Sequence, residues 1–304
     1  MEILNETITD DFVAYHGDSC EVMTEVPNDS IHYSIFSPPF ASLYTYSNSD
    51  RDLGNCKSDD EFRTHFGFIV EELFRVIMPG RLVSFHCMNL PTSKSRDGVI
   101  GIRDFRGDMI RLFQDKGFIY HSEACIWKNP VVAMQRTKAL GLLHKQIKKD
   151  SCMSRQGIPD YLVTMRKPGV NTEPVAGEFD YFAGDQETFK HTGNLSIDIW
   201  QRYASPVWMD INPSKTLQYR SARDHNDERH ICPLQLQVIE RGIQMWSNEG
   251  DTVLSPFMGI GSEGHVSIKT ARKFVGIELK ESYYKQAVKN LKNARVEAKE
   301  NKLF

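Results

Sequence analysis

The 304-residue sequence has no run of about eighteen consecutive apolar residues, the length a helix needs to cross a bilayer, so no membrane span is expected. Cysteines are few, and Cys20, Cys56, Cys87, Cys125, Cys152 and Cys232 stand far apart with no Cys-x-x-Cys pair. That spacing argues against a zinc site and a disulfide framework, and it sets the expectation of a reducing, cytoplasmic setting. His86, His144 and His191 have no partner at metal-ligand spacing, so they read as structural and no metal is expected. The stretch from Met1 to Asp11 is acidic and polar rather than basic and then apolar, so no secretory leader is expected. There is no internal repeat and no low-complexity tract. Nor is there an excess of positive charge: 37 Lys and Arg against 40 Asp and Glu leave a net charge of −3. Affinity for a nucleic-acid duplex comes largely from Lys and Arg on phosphates, so overall charge is a weak recommendation for that partner.

What the chain does have is length and alternation. A chain of this size buries a sizeable core, and its length permits one large domain or two ordinary ones. Apolar strand candidates lie at Phe12 to Tyr15, Ile31 to Phe36, Leu82 to Phe85, Phe118 to Trp127, Tyr161 to Met165, Thr252 to Leu254 and Phe274 to Ile277. Between them run helical patterns at Asp60 to Met78, with Phe66, Ile69, Val70, Leu73, Phe74 and Ile77 on one face, and at Phe105 to Lys116. A last helix, Ser282 to Glu300, covers the sheet with Tyr284, Val288 and Leu291 and leaves its charges in water. Strands alternating with helices imply a mostly parallel α/β sheet covered on both faces.

Two short segments at opposite ends of the chain carry the chemistry. Behind Thr252-Val253-Leu254 comes Phe257-Met258-Gly259-Ile260-Gly261-Ser262, and a helix opens from Glu263. Strand, glycine loop and helix start let backbone N–H groups approach a ligand. Glu278 ends the next apolar run 17 residues past Gly261, where an acid can accept both hydroxyls of a ribose. An adenosine-containing cofactor follows; NAD and S-adenosylmethionine both fit these residues alone. Behind Ile31 to Phe36 comes Ser37-Pro38-Pro39-Phe40. The prolines stiffen the strand end and donate nothing, so the Ser37 hydroxyl and the Pro38 carbonyl present acceptors to an NH₂ group while Phe40 offers a stacking face. Two acceptors on an aromatic amino group favour the pyramidal nitrogen of a transition state over the planar ground state. Nothing in that segment suits hydride transfer.

Taken together these residues resemble the amino-methyltransferases of DNA, in the class whose catalytic motif precedes the cofactor motif. Ser37-Pro38-Pro39-Phe40 is similar to the family's (Asp/Asn/Ser)-Pro-Pro-(Tyr/Phe/Trp) motif, Phe257-Met258-Gly259-Ile260-Gly261 to its Phe-x-Gly-x-Gly loop, and Gly276-Ile277-Glu278-Leu279 to its ribose-binding strand. His16-Gly17-Asp18 resembles the segment whose acid approaches the adenine amino group, and Arg75 to Gly80 with Leu82 to Phe85 resemble the following helix and strand. The resemblance spans nearly the whole chain except roughly residues 130–155 and 170–225.

It implies a Rossmann-like S-adenosylmethionine-dependent methyltransferase fold with a seven-stranded, mostly parallel sheet in permuted chain order. It implies one catalytic domain over residues 1–304, double-stranded DNA as substrate, and the homodimer that relatives often form. Ser37, Pro38, Pro39 and Phe40 become the catalytic residues; Asp18, Ser255, Phe257, Gly259, Gly261, Ser262, Glu278 and Leu279 hold the cofactor. The family usually has Asp-Pro-Phe where this chain has Ser255-Pro256-Phe257, so no charge faces the methionine ammonium from that position. The family's His-Pro stretch is shortened to His230-Ile231-Cys232-Pro233. Serine at the first motif position favours cytosine N4 as target, with adenine N6 the alternative.

Local charge supports DNA better than net charge does. From Lys128 to Arg155, the seven basic residues Lys128, Arg136, Lys138, Lys145, Lys148, Lys149 and Arg155 stand against a single acid, Asp150, inside a basic insert expected over residues 128–160. Residues 168–229 interrupt the alternation with Trp200, Tyr203, Trp208, Tyr219, Arg220 and Arg223, either a target-recognition region or a cap whose tryptophans pack on the core. Ala41 to Asn55 reads as a polar loop that closes over a nucleotide or simply connects elements. Three rivals stand beside this reading: a nicotinamide-dependent oxidoreductase, an RNA or protein amide methyltransferase, and a non-enzymatic DNA-binding module.

Overall fold

A computed structural model describes residues 3–39, 53, 56, 58–131, 144–153, 156–176, 195–218 and 233–301. The strands are β1 (Asn5–Ile8), β2 (Phe12–His16), β3 (Ile31–Phe36), β4 (Ile77–Met88), β5 (Leu90–Thr92), β6 (Gly101–Arg103), β7 (Ile119–Ile126), β8 (Asp160–Arg166), β9 (Val207–Trp208), β10 (Thr252–Ser255) and β11 (Lys273–Glu278). The helices are α1 (Ser19–Met23), α2 (Asp59–Val76), α3 (Lys94–Asp97), α4 (Phe105–Asp115), α5 (His144–Ile147), α6 (Leu195–Ala204), α7 (Leu236–Trp246), α8 (Ser262–Lys269) and α9 (Glu281–Asn301).

One sheet runs β1-β2-β11-β10-β3-β4-β8-β7-β9, and β5 with β6 forms a separate hairpin. The strands β2, β11, β10, β3 and β4 are mutually parallel, while β8 is antiparallel to both β4 and β7. The expected seven strands make up the middle of this sheet, and the short β1 and β9 extend its edges. Burial on both faces explains why β3 reads as an almost unbroken apolar run: Ile31, Tyr33, Ile35 and Phe36 are all enclosed, and the one hydroxyl of a serine among them, on Ser34, donates to the Leu254 carbonyl at 2.9 Å.

Helix α2 starts where the Ser58 hydroxyl accepts the Glu61 N–H at 3.1 Å, and it buries Phe62, Phe66, Ile69, Val70 and Leu73 at helical spacing. It ends two residues earlier than its apolar pattern predicts. Pro79 forces Met78 out of helical geometry, so Ile77, assigned by its spacing to the helix face, opens β4 instead. Helices α1, α2 and α4 cover one face of the sheet, and α7, α8 and α9 cover the other, each over its own cluster of buried side chains. The sequence pattern named no element at α7. Among the described residues no helix is long and apolar enough to cross a membrane.

Candidate functional site

Chain order reverses between β10 and β3: β10 leads to β11 on one side, and β3 leads to β4 on the other. In open α/β sheets a ligand crevice forms beyond the carboxyl ends of the strands at such a switch point. Both sequence segments singled out above emerge there.

The half built on β2, β10 and β11 is organised by backbone. Gly259 and Gly261 have φ of 52° and 84°, the left-handed region that side chains disfavour. At Gly261 an added Cβ would also lie 3.3 Å from Ala287 on α9, so this glycine sets the approach of that helix. At Gly259 a Cβ would meet nothing within 4 Å: its face is open, as a ligand cradle requires. The N–H of Gly259 and that of Lys280 each donate at 2.9 Å to a different oxygen of Glu278. Two backbone donors thereby orient a carboxylate that can accept about four bonds in all. Asn290 on α9 holds the loop by donating to the Ile260 carbonyl at 2.8 Å.

Asp18 caps α1, accepting the Cys20 N–H at 2.8 Å, and the Gly17 N–H donates to the Glu278 carbonyl at 3.0 Å, so Asp18 and Glu278 leave neighbouring strands together. The next residue, Ser19, bonds through its hydroxyl to the Pro256 carbonyl, and the Leu279 carbonyl is 3.1 Å from His16 Nε2. Ser262 begins α8 and is buried. Ser255 is wholly enclosed, with no hydrogen-bond partner for its hydroxyl among the described residues. Glu263, the second residue of α8, is fully buried. Burial, with a smaller contribution from Glu278, pushes its carboxyl up to about 8, so it carries a proton at neutral pH.

Phe257 joins this half to the other. Its ring lies 5.8 Å from that of Phe36 and 5.9 Å from that of Phe66, and Phe36 immediately precedes Ser37. Parallel pairing of Leu254 with Ser34 brings the strand ends level. Pro38 and Pro39 are buried and Ser37 is half-buried; Phe40 lies outside the described residues.

The half built on β3, β4 and β8 is organised by side chains. Ser37 Oγ is 3.3 Å from His86 Nδ1, and His86 Nε2 is 3.3 Å from Asp160 Oδ2, an ion-pair distance. Asp160 is buried and also accepts a hydrogen bond from Lys128. Burial alone would raise its carboxyl pKa, but His86 and Lys128 outweigh that and hold it below the ordinary carboxylate value. His86, which reads as structural from the sequence, therefore stands directly behind the Ser37-Pro38-Pro39 segment. It sits near the end of β4, the parallel neighbour of β3, and only that adjacency could have signalled it. Lys128, counted on sequence as a DNA contact, directs its ammonium to Asp160.

An open cavity of about 450 Å³ continues along this edge, lined by Trp127, Lys128, Pro130, Gln156 and Ile158 among others. Lys148 and Lys149 are exposed. Arg136, Lys138, Arg155 and the side chain of Lys145 lie outside the described residues, as do Tyr219, Arg220, Arg223 and most of Ala41 to Asn55. Trp208 takes the packing role: it is buried, its indole N–H donates to the Tyr203 carbonyl at 3.1 Å, and Arg241 lies over its ring. Trp200 is exposed.

Residues 31–289 match the profile of a family described as DNA methylase. The chain is 39% identical over 282 residues to the DNA adenine methyltransferase YhdJ of Escherichia coli K12, covering 91% of this chain and 81% of that protein. It is 23% identical over 274 residues to the type II methyltransferase M.BglII of Bacillus subtilis; that match takes in 88% of this chain and 66% of the relative, about two thirds of its length. Its fold is similar to that of TTHA0409 from Thermus thermophilus, solved in complex with S-adenosyl-L-methionine, with a TM-score of 0.62 at 20% identity over 92% of this chain and 94% of the other.

Proposed function

The chain belongs to the DNA methylase family, and on that premise we propose that it transfers a methyl group from S-adenosylmethionine to the exocyclic amino nitrogen of a base flipped out of duplex DNA. One observation carries the reading. The Phe36–Phe257 contact sets the acceptor-bearing end of β3 against the glycine loop and Glu278. A nucleobase and an adenosine cofactor held there are neighbours, which a dehydrogenase or a simple DNA-binding module would not need.

The residues fit S-adenosylmethionine: an open glycine face at Gly259, an oriented acid at Glu278 and a second acid at Asp18. When bound, this cofactor supplies an electrophilic methyl group on a sulfonium. Glu278 receives the ribose hydroxyls, Asp18 the adenine amino group, and Gly259, Gly261, Ser262, Phe257 and Leu279 enclose the remainder. Ser255, enclosed and with its hydroxyl unpartnered among the described residues, offers the ammonium a hydrogen-bond acceptor but no charge. On the other side the Ser37 hydroxyl and Pro38 carbonyl accept hydrogen bonds from the target NH₂, and Phe40 stacks on its ring. Alignment and these acceptors supply most of the acceleration.

The exposed Lys148 and Lys149, with Arg136, Lys138, Lys145 and Arg155, place phosphates on the insert at 128–160. Residues 168–229 supply sequence recognition, with the exposed Trp200 among them. Serine at position 37 favours cytosine N4 as the target; the 39% identity to an adenine methyltransferase supports adenine N6 as a second reading. Nucleoside mass spectrometry on DNA from cells expressing the chain tests both. N4-methylcytosine is expected, N6-methyladenine would establish the second reading, and unmodified DNA from well-expressed protein would overturn the function.

A further inference from the structure

We infer that His86 is a positioning residue that works through Ser37, taking up the proton which the target amino group must lose, with Asp160 as the anion that orients and balances it. The inference rests on the methyl transfer proposed above and goes beyond the Ser-Pro-Pro-Phe motif. It starts from two short separations, Ser37 Oγ to His86 Nδ1 at 3.3 Å and, at ion-pair distance, His86 Nε2 to Asp160 Oδ2 at 3.3 Å.

An acceptor-only carboxylate beside Nε2 selects the tautomer with its proton on that nitrogen, which leaves the lone pair of Nδ1 toward Ser37. The Ser37 hydroxyl then donates to Nδ1, so its oxygen lone pairs turn outward to the target N–H. In the transfer the target nitrogen forms a bond to the methyl carbon as the carbon–sulfur bond breaks, leaving S-adenosylhomocysteine and a cationic, methylated nitrogen. That nitrogen releases a proton to Ser37 Oγ while the serine proton moves to His86 Nδ1. The product is a neutral methylamino base, an unchanged serine and an imidazolium facing Asp160. If His86 is protonated beforehand the bond reverses: Nδ1–H donates to Ser37, occupies one lone pair and turns the hydroxyl hydrogen at the substrate. Only the neutral imidazole supports catalysis.

The surroundings suit this role. Asp160 on β8 is almost fully enclosed, and Lys128 beyond β7 binds its other oxygen, so the carboxylate stays ionised. On α4 and β7 the nearest charges, Arg106 and Glu123, pair with each other at 2.8 Å. They sit around Cys87, which alternation places on the opposite sheet face. On α7, Arg241 pairs with Asp210 at 2.6 Å, and Glu240 adjoins Tyr203. Among the described residues the carboxylate nearest the imidazole is thus that of Asp160.

The experiment follows single-turnover transfer of tritiated methyl from S-adenosylmethionine to unmethylated genomic DNA as a function of pH, for the wild type, His86→Gln and Asp160→Asn, with cofactor binding measured by calorimetry. The wild-type rate is expected to fall on the acid side with the protonation of one group. His86→Gln keeps a hydrogen-bond acceptor but takes up no proton, so its acid limb disappears and its plateau rate drops about 100-fold, in the range general acid–base groups contribute. Asp160→Asn removes the balancing anion, so its acid limb moves to lower pH. Unaltered cofactor binding in both variants supports a role confined to the transfer. A wild-type acid limb in His86→Gln, an undiminished rate, or loss of cofactor binding together with the rate would overturn the relay. Absence of transfer by the wild type would instead overturn the parent reading, so the two failures are distinguishable.

Discussion

The two halves of the cleft are built on different principles. On the β2, β10 and β11 side, Glu278 and the glycine loop are fixed by backbone N–H and carbonyl groups, whereas on the β3, β4 and β8 side Ser37, His86, Asp160 and Lys128 hold one another through side chains. A backbone-built pocket tolerates side-chain change at most positions except its glycines and its acid. A side-chain relay is broken by the loss of any member. The first serves a bound molecule that is always the same; the second must accept and release a proton.

The largest test of that contrast is Ser37→Ala or Phe40→Ala. Either should cut methyl transfer by about 100-fold or more, the cost of losing a group aimed at the transition state, while isothermal titration shows unchanged S-adenosylmethionine affinity. The mirror experiment, Glu278→Ala, should weaken cofactor binding by about 1.5–3 kcal/mol, roughly 10- to 100-fold in Kd, for the loss of hydrogen bonds to a charged group. At saturating cofactor its rate should stay within a few-fold of wild type. A Glu278→Ala enzyme that binds normally but no longer transfers would erase the distinction between the halves.

A smaller effect is expected at Gly261→Ala. The substitution forces alanine to a φ of 84° with Ala287 at 3.3 Å, at a cost of about 1–3 kcal/mol, seen as a Tm lower by several degrees. A separate test is the pH dependence from Glu263. Because burial raises its pKa to about 8, the folded protein binds a proton that the unfolded chain releases near its ordinary 4.5. The resulting stability is fully present below about 4.5 and is lost as pH rises through about 8. Glu263→Gln should remove that loss, so the melting temperatures of variant and wild type draw apart progressively between about pH 4.5 and about 8 and keep a constant difference above that, the wild type falling relative to the variant.

How much was legible in the sequence follows the same division. The glycine loop, Glu278 and the strands that carry them obey local rules of turn geometry and periodicity, so Gly259, Gly261, Asp18 and Glu278 meet where their spacing implied. Helix α2 was legible except at its end, where Pro79 overrode the apolar period. His86 was not, because its role comes from β3 lying beside β4 and β8 beside β4. No spacing of residues 37, 86 and 160 encodes that contact. The Lys128–Asp160 pair was hidden for a related reason: a basic residue in a basic stretch gives no sign that a buried carboxylate lies within its reach. Trp208 shows the converse, an aromatic residue in an irregular stretch whose plain packing role was one of the two readings offered.

The strand order also bears on how the chain is made. Strands β10 and β11, residues 252–278, sit in the middle of the sheet between β2 and β3, which a ribosome completes more than two hundred residues earlier. Until they emerge, the nascent protein carries two unpaired inner edges, each a ready template for association with another chain. Truncation ahead of Thr252 should therefore give an aggregating product rather than a folded protein that merely lacks its nucleotide pocket.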